Sequence, residues 1–322
     1  MTVILVLLVI LALVVAGLVF FSASTARKVE AALPPPGRFI DVDGCRLHYV
    51  DTGGDKPPLV MIHGLGGTLF NYRYALIDRL AADYRVIAVD RPGSGYSERP
   101  ADASATLGAQ ARTLATFIRA LKLDKPLLVG HSLGGALSLA IALGHPDCAG
   151  ALALIAPLTH AQDEVPEPFR GLVVPSPLVR RIIAATLAVP LSIRRAQATL
   201  AVVFGPDAAP ADYATRGGGL LGLRPKSFYN TSSDLIAVNT DLPAMMARYA
   251  TALTLPMAML YAKGDRILDY RAQGEAMKRT CPALDLTVLD AHGHMLPITA
   301  PERCEALIRS VAARMPASRA VA

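Results

Sequence analysis

The 322-residue sequence has no tryptophan, 6% aromatic residues and 18% charged residues. Its four cysteines, Cys45, Cys148, Cys281 and Cys304, are scattered without metal-binding or redox spacing, so they read as free, mostly buried thiols and imply no disulfide framework. There is no phosphate loop, dinucleotide fingerprint or metal-ligand cluster, so no cofactor and no metal is expected. The net charge is +6, yet no dense basic tract or nucleic-acid motif appears, which excludes nucleic acid as the expected partner. Two absences are local. No Lys or Arg precedes the first apolar run, and no Asp or Glu lies between Phe169 and Phe204.

That first run, Val3 to Phe21, holds 19 uncharged apolar residues. As a helix it would be about 28 Å long, enough to cross a hydrocarbon core. A secretory signal usually has a charged start and a shorter apolar centre. The run therefore reads as an uncleaved single-pass anchor over residues 1–22, in a bacterial inner membrane by this reading. Ser24-Thr25-Ala26 keeps a cleaved signal open as the second reading. Arg27, Lys28 and Arg38 follow the run, which favours a cytoplasmic catalytic domain by a small margin. Residues 23–37, with Pro34-Pro35-Pro36, read as a short stiff linker.

The densest chemical signal is Gly130-His131-Ser132-Leu133-Gly134-Gly135, between an apolar run ending at Val129 and a small-residue helical pattern from Ala136. A G-x-S-x-G that closes a strand and opens a helix pushes its serine to the sheet edge on a tight turn. Side chains at Gly130 or Gly134 would collide with neighbouring backbone there. A serine needs a base to take its proton, and the base needs a third group to orient it. Asp265 follows the strand pattern Leu255–Ala262, and His294 follows the strand pattern Leu284–Leu289. The order Ser132, Asp265, His294 is the one this architecture uses. His292 competes as the base, and Asp269 and Asp290 compete as the acid. Asp269 reads better as the cap of a helix beginning near Tyr270.

These motifs, with His63-Gly64-Leu65-Gly66-Gly67, Asp90-Arg91-Pro92-Gly93-Ser94-Gly95-Tyr96-Ser97, Gly293-His294 and Pro301-Glu302, resemble the α/β-hydrolase superfamily in its capped, esterase/lipase-like branch. The resemblance covers about Arg38 to Met315. It implies a mostly parallel, doubly wound sheet over 38–157 and 255–316, a helical cap inserted at 158–254, and a tail at 317–322. It implies an oxyanion hole from the backbone amides of Leu133 and Leu65, with His63, Asp90 and Arg91 bracing loops. The coarse pattern places helices near Tyr72–Leu80, over Thr106–Lys122 and over Glu302–Ala313.

The expected activity is a serine hydrolase acting on carboxylic esters with apolar acyl groups, monoacylglycerol-like in size. A C–C bond hydrolase of vinylogous diketones and a perhydrolase are the enzymatic alternatives. The missing tryptophan counts against the first, and the large cap against the second. A membrane-tethered scaffold is the non-enzymatic alternative. Dehalogenases and epoxide hydrolases of the family place Asp where this chain has Ser132. Between Phe169 and Phe204, Arg170, Arg180, Arg181, Arg194 and Arg195 alternate with apolar residues. Such a segment reads first as a cap helix with its apolar face packed on the core beneath solvated arginines. The competing reading is a segment that rests on an anionic lipid surface. The expected partners are a small ester or lipid-like substrate and a membrane.

Overall fold

Short, continuous runs of Val, Ile, Leu, Met and Ala become strands that bury both faces, the pattern of a parallel sheet covered by helices. In a computed structural model that describes residues 1–315, these runs form one eight-stranded sheet. The strands are β1 (Arg38–Val42), β2 (Cys45–Asp51), β3 (Pro58–Ile62), β4 (Arg85–Val89), β5 (Leu127–His131), β6 (Ala151–Ile155), β7 (Met257–Ala262) and β8 (Asp285–Leu289). Their order is β1-β2-β4-β3-β5-β6-β7-β8, antiparallel at β1–β2–β4 and parallel from β4 onwards. From β3 the chain goes to one side for β4, then crosses back past β3 to its other side for β5. The loops after β3 and β5 therefore meet at the point where winding reverses, which is where such sheets place their ligands.

The helices used below are α1 (Thr2–Ala32), α2 (Leu107–Ala120), α3 (Leu133–Gly144), α4 (Pro177–Ala185), α5 (Ala188–Phe204), α6 (Pro225–Met246) and α7 (Pro301–Ala312). The Thr106 hydroxyl caps α2 by accepting from Ala109 N. The small residues of α3 let it run buried along almost its whole length against the sheet. The helix expected near Tyr72–Leu80 is instead two short pieces, Phe70–Arg73 and Leu76–Leu80. All four cysteines are free and buried.

The helix of the apolar run does not stop where that run stops. Residues 23–32, expected as linker, continue α1 to Ala32, because Ala, Arg, Lys and Glu sustain a helix and only the prolines at 34–36 end it. The residues before Ser22 are apolar and largely exposed. From Ser22 to Pro36 the chain is docked at separate points. Ser22 Oγ donates to Thr186 O at 3.1 Å, Val29 is buried, and Glu30 pairs with the buried Arg224 at 3.3 Å. Tyr96 donates its hydroxyl proton to Leu33 O, and Pro36 O bonds the ring of His48.

Between β6 and β7 lies a helical segment built on α4, α5 and α6. Leu178, Val179, Ile182, Leu191 and Ile193 of α4 and α5, and Leu187 between the two helices, are exposed and face away from the core. Arg170, Arg181, Arg194 and Arg195 are exposed beside them. Arg180 departs from the expected surface array. It is buried, and its guanidinium donates to Val174 O at 2.7 Å and to Ser233 Oγ at 2.6 Å, because its place on α4 points it inward at α6. The expected tail, 317–322, lies outside the described residues.

Candidate active site

Ser132 follows β5 and precedes α3 with φ 55° and ψ −121°, a backbone conformation that is strained for any residue but glycine. Close packing holds it there. A Cβ on Gly134 would fall 1.9 Å from Ile62 O, and one on Gly130 would fall 2.5 Å from Gly134 O. The chain can thus fold its strand end and helix start into contact only with glycine at both positions.

Asp265 lies three residues past β7, with its side chain fully buried. Its Oδ1 accepts from Ile267 N at 2.8 Å and Leu268 N at 2.9 Å, which leaves Oδ2 for His294 Nδ1 at 2.7 Å. A carboxylate only accepts, so Nδ1 of His294 carries a proton, and Nε2 is the nitrogen left to act as a base in the neutral ring. His294 and Ser132 line one cavity, although among the described residues no hydrogen bond joins them. Sites of this kind often tighten that contact only around substrate.

The competing residues are engaged elsewhere. His292 Nδ1 pairs with Asp207 at 3.1 Å, and Gly293 N donates to the same carboxylate at 2.9 Å. Asp290 is exposed and pairs with Lys263. Asp269 accepts from Arg271 N and Ala272 N, as expected of a cap.

Leu65 and Leu133 both line the cavity, and neither backbone amide donates to a described residue. The loop that carries Leu65 is heavily braced. His63 Nδ1 donates to Gly64 O at 2.9 Å, while its Nε2 accepts from Arg91 N at 3.0 Å. Burial and the adjacent Arg91 cation push the His63 pKa down to about 4, so the ring is neutral. Asp90 is fully buried; burial alone would raise its pKa, but its hydrogen bond to His48 at 2.7 Å and the nearby imidazoles hold it below the usual range. Its other oxygen accepts from Leu69 N at 2.8 Å. His131 donates from Nε2 to His294 O at 2.9 Å, and burial and the neighbouring His294 push its pKa down to about 3. Sequence reasoning missed Asp207, Asp234 and His48, whose partners lie far away in the chain.

The cavity measures about 430 Å³. Ser132, His294, Leu65 and Leu133 line it. Phe169, Leu172, Leu200, Val203, Phe228 and Leu235 supply an apolar wall from the segment between β6 and β7. Among the described residues, no group of three or more His, Cys, Asp or Glu could hold a metal ion.

A family model described as the alpha/beta hydrolase fold matches residues 57–301. Over 141 residues the chain is 38% identical to the 2-hydroxymuconate semialdehyde hydrolase of Pseudomonas sp. strain CF600, covering 41% of this chain and 49% of that protein. Over 121 residues it is 38% identical to the dihydrolipoyllysine-residue acetyltransferase component of the acetoin cleaving system of Cupriavidus necator, covering 38% of this chain and 32% of that protein. The matches thus span between 32% and 49% of these curated relatives. Among solved structures, a membrane phospholipase A described as a bacterial virulence factor aligns with TM-score 0.60 and 25% identity, covering 97% of this chain and 99% of that one. A thermophilic esterase from Thermogutta terrifontis aligns with TM-score 0.66 and 22% identity, covering 85% and 97%. The matched span runs from the start of β3, through the serine turn and the inserted helices, to the residues just past His294, and over that span the chain belongs to the α/β-hydrolase fold family.

Proposed function

We propose that this protein is a membrane-anchored serine hydrolase of carboxylic esters with apolar acyl groups, and that Ser132, His294 and Asp265 carry the reaction. The observation that carries the reading is the His294–Asp265 pair at 2.7 Å, with His294 lining the same cavity as a strained, helix-opening serine. The Ser132 hydroxyl rotates towards Nε2 around a bound ester and attacks its carbonyl carbon as the proton passes to His294. The Leu65 and Leu133 amides hold the oxyanion, the term that usually contributes most to such a barrier. His294 then protonates the departing alcohol. Water, deprotonated by the same nitrogen, releases the acid from Ser132. Asp265 keeps the ring in the correct tautomer and stabilises the imidazolium.

The helices between β6 and β7 act as a cap that selects the acyl group. The apolar cavity wall supports long or medium chains, and the likeness to a membrane phospholipase A supports lipid-like esters. In this reading α1 crosses the bilayer, being long and apolar enough to do so. The exposed apolar residues of α4 and α5, with Arg181, Arg194 and Arg195, rest on the anionic surface beside it.

The test is hydrolysis of p-nitrophenyl esters from C2 to C16 by the full chain and by Ser132→Ala. Turnover that survives in the variant would remove Ser132 from the mechanism. One second reading has its own support, the identity to 2-hydroxymuconate semialdehyde hydrolase over part of the chain. The same three residues would then cleave a C–C bond. Cleavage of a vinylogous diketone, with fluorophosphonate labelling of Ser132 but no ester turnover, would favour it.

A further inference from the structure

The described oxyanion amide of Leu65 and the carbonyl of Gly64 belong to one peptide unit. A trans peptide is planar, so fixing the direction of its C=O fixes the opposite direction of its N–H. Gly64 O accepts from Arg91 Nη2 at 3.1 Å, His63 Nδ1 at 2.9 Å and Gly67 N at 3.2 Å. The loop lies directly on the nucleophile, since a Cβ on Gly64 would fall 2.9 Å from Ser132 Cβ.

Arg91 is itself held from the cap. It is fully buried, and its Nη1 donates to Asp234 Oδ2 of α6 at 2.7 Å and to Gln110 Oε1 of α2 at 3.0 Å. Its Nε has no hydrogen-bond partner among the described residues, so the fork is oriented by Asp234, Gln110 and Gly64 O. Asp234 is equally buried, and its Oδ1 accepts from Arg99 Nη1 at 2.6 Å and Gln110 Nε2 at 3.3 Å. One guanidinium therefore bridges a cap carboxylate and the carbonyl whose peptide partner faces the cavity. A charged donor on that carbonyl also polarises the amide and strengthens its N–H as a donor.

We propose that Asp234 is a positioning residue for the oxyanion hole: through Arg91 it aims the Leu65 amide, so the seating of the cap and the readiness of the catalytic site are one event. This rests on the serine-hydrolase reading above. It makes the cap a part of the transition-state machinery as well as a wall for the acyl chain.

The test compares Asp234→Asn with Arg99→Gln in the full chain. Asp234→Asn removes both ion pairs of the buried cluster and Arg99→Gln only the one to Arg99, so only the first loosens the grip on Gly64 O. Asp234→Asn is expected to lower kcat by about 10- to 100-fold, short of the loss of a whole oxyanion donor, with KM within about twofold. An alkyl boronic acid, which forms a tetrahedral adduct on Ser132, should lose affinity in proportion, while an ether analogue without a carbonyl binds as before. Arg99→Gln should lower the melting temperature and leave kcat within about twofold. Amide exchange across residues 62–69 should quicken in Asp234→Asn and not in Arg99→Gln. Equal kcat losses in both variants, or equal exchange, would overturn the coupling. A wild-type chain that neither hydrolyses esters nor binds the boronic acid would overturn the ester reading instead, and the exchange comparison would still judge the coupling.

Discussion

Replacing Asp265 with Asn tests the proposed catalytic set most sharply, because the shape changes little while the proton inventory inverts. Asp265 Oδ1 is committed to Ile267 N and Leu268 N, so an Asn oxygen takes that place and its NH2 group turns to His294. An NH2 facing Nδ1 at 2.7 Å forces that nitrogen to accept, and the ring proton moves to Nε2. The face towards Ser132 then offers a donor where the reaction needs a base. The stabilisation of the imidazolium by a buried carboxylate is lost in the same step. Together these are expected to cost about 10⁴ in kcat, or about 5.4 kcal/mol of barrier. KM should stay within about threefold, since neither atom touches the acyl chain. The assay is steady-state hydrolysis of a mid-length p-nitrophenyl ester, with Ser132→Ala as background and circular dichroism melting as the fold control. A loss under about 10² in a folded variant would refute the tautomer argument and reopen the choice of acid.

Ser132→Gly should melt about 1.5–3 °C above Ser132→Ala in thermal denaturation, because glycine relieves about 1–2 kcal/mol of strain at φ 55°. His63 and His131, with pKa values of about 4 and about 3, stay neutral when folded and take up protons only on unfolding. Their depressed values mean stability is full above the unfolded pKa near 6.5 and falls as pH drops below it. Urea titrations should give a slope approaching about 2.7 kcal/mol per pH unit towards pH 4.5; a flat curve would contradict their burial. Converting Arg181, Arg194 and Arg195 to Gln should lower hydrolysis of a lipid ester in anionic vesicles about tenfold. Hydrolysis of a water-soluble butyrate ester should hold, and equal rates on both would remove the cap from the membrane surface.

The proposed trio, Ser132, Asp265 and His294, could be picked out because each member stands just past a strand end. There a run of apolar residues breaks into glycine and polar residues within two or three positions, a local change that needs no partner to be seen. The sheet was legible for the same reason. The polar wiring was not. Asp234 sits in a helical stretch, Asn230 to Asn239, that reads as an ordinary solvated face, and its partner Arg91 is 143 residues away. Asp207 and Gly293 are 86 apart. Arg180 looked the same as Arg181, and only the turn of α4 sends one inward and the other out. The stop of α1 was misjudged because the triple proline marks where a helix must end, while the residues before it decide how much earlier it could have.

The docking of residues 22–36 has a practical bearing on how the enzyme could be released from its apolar segment. Cutting at the start of β1 would strip Glu30 from the buried Arg224 and remove the carbonyls that Tyr96 and His48 bond, stranding a cation and two ring groups inside the protein. Cutting after Ala26 would forfeit the Ser22–Thr186 bond and keep the other three contacts. A head freed at that point, whether by a peptidase or at the bench, would carry away its own strap.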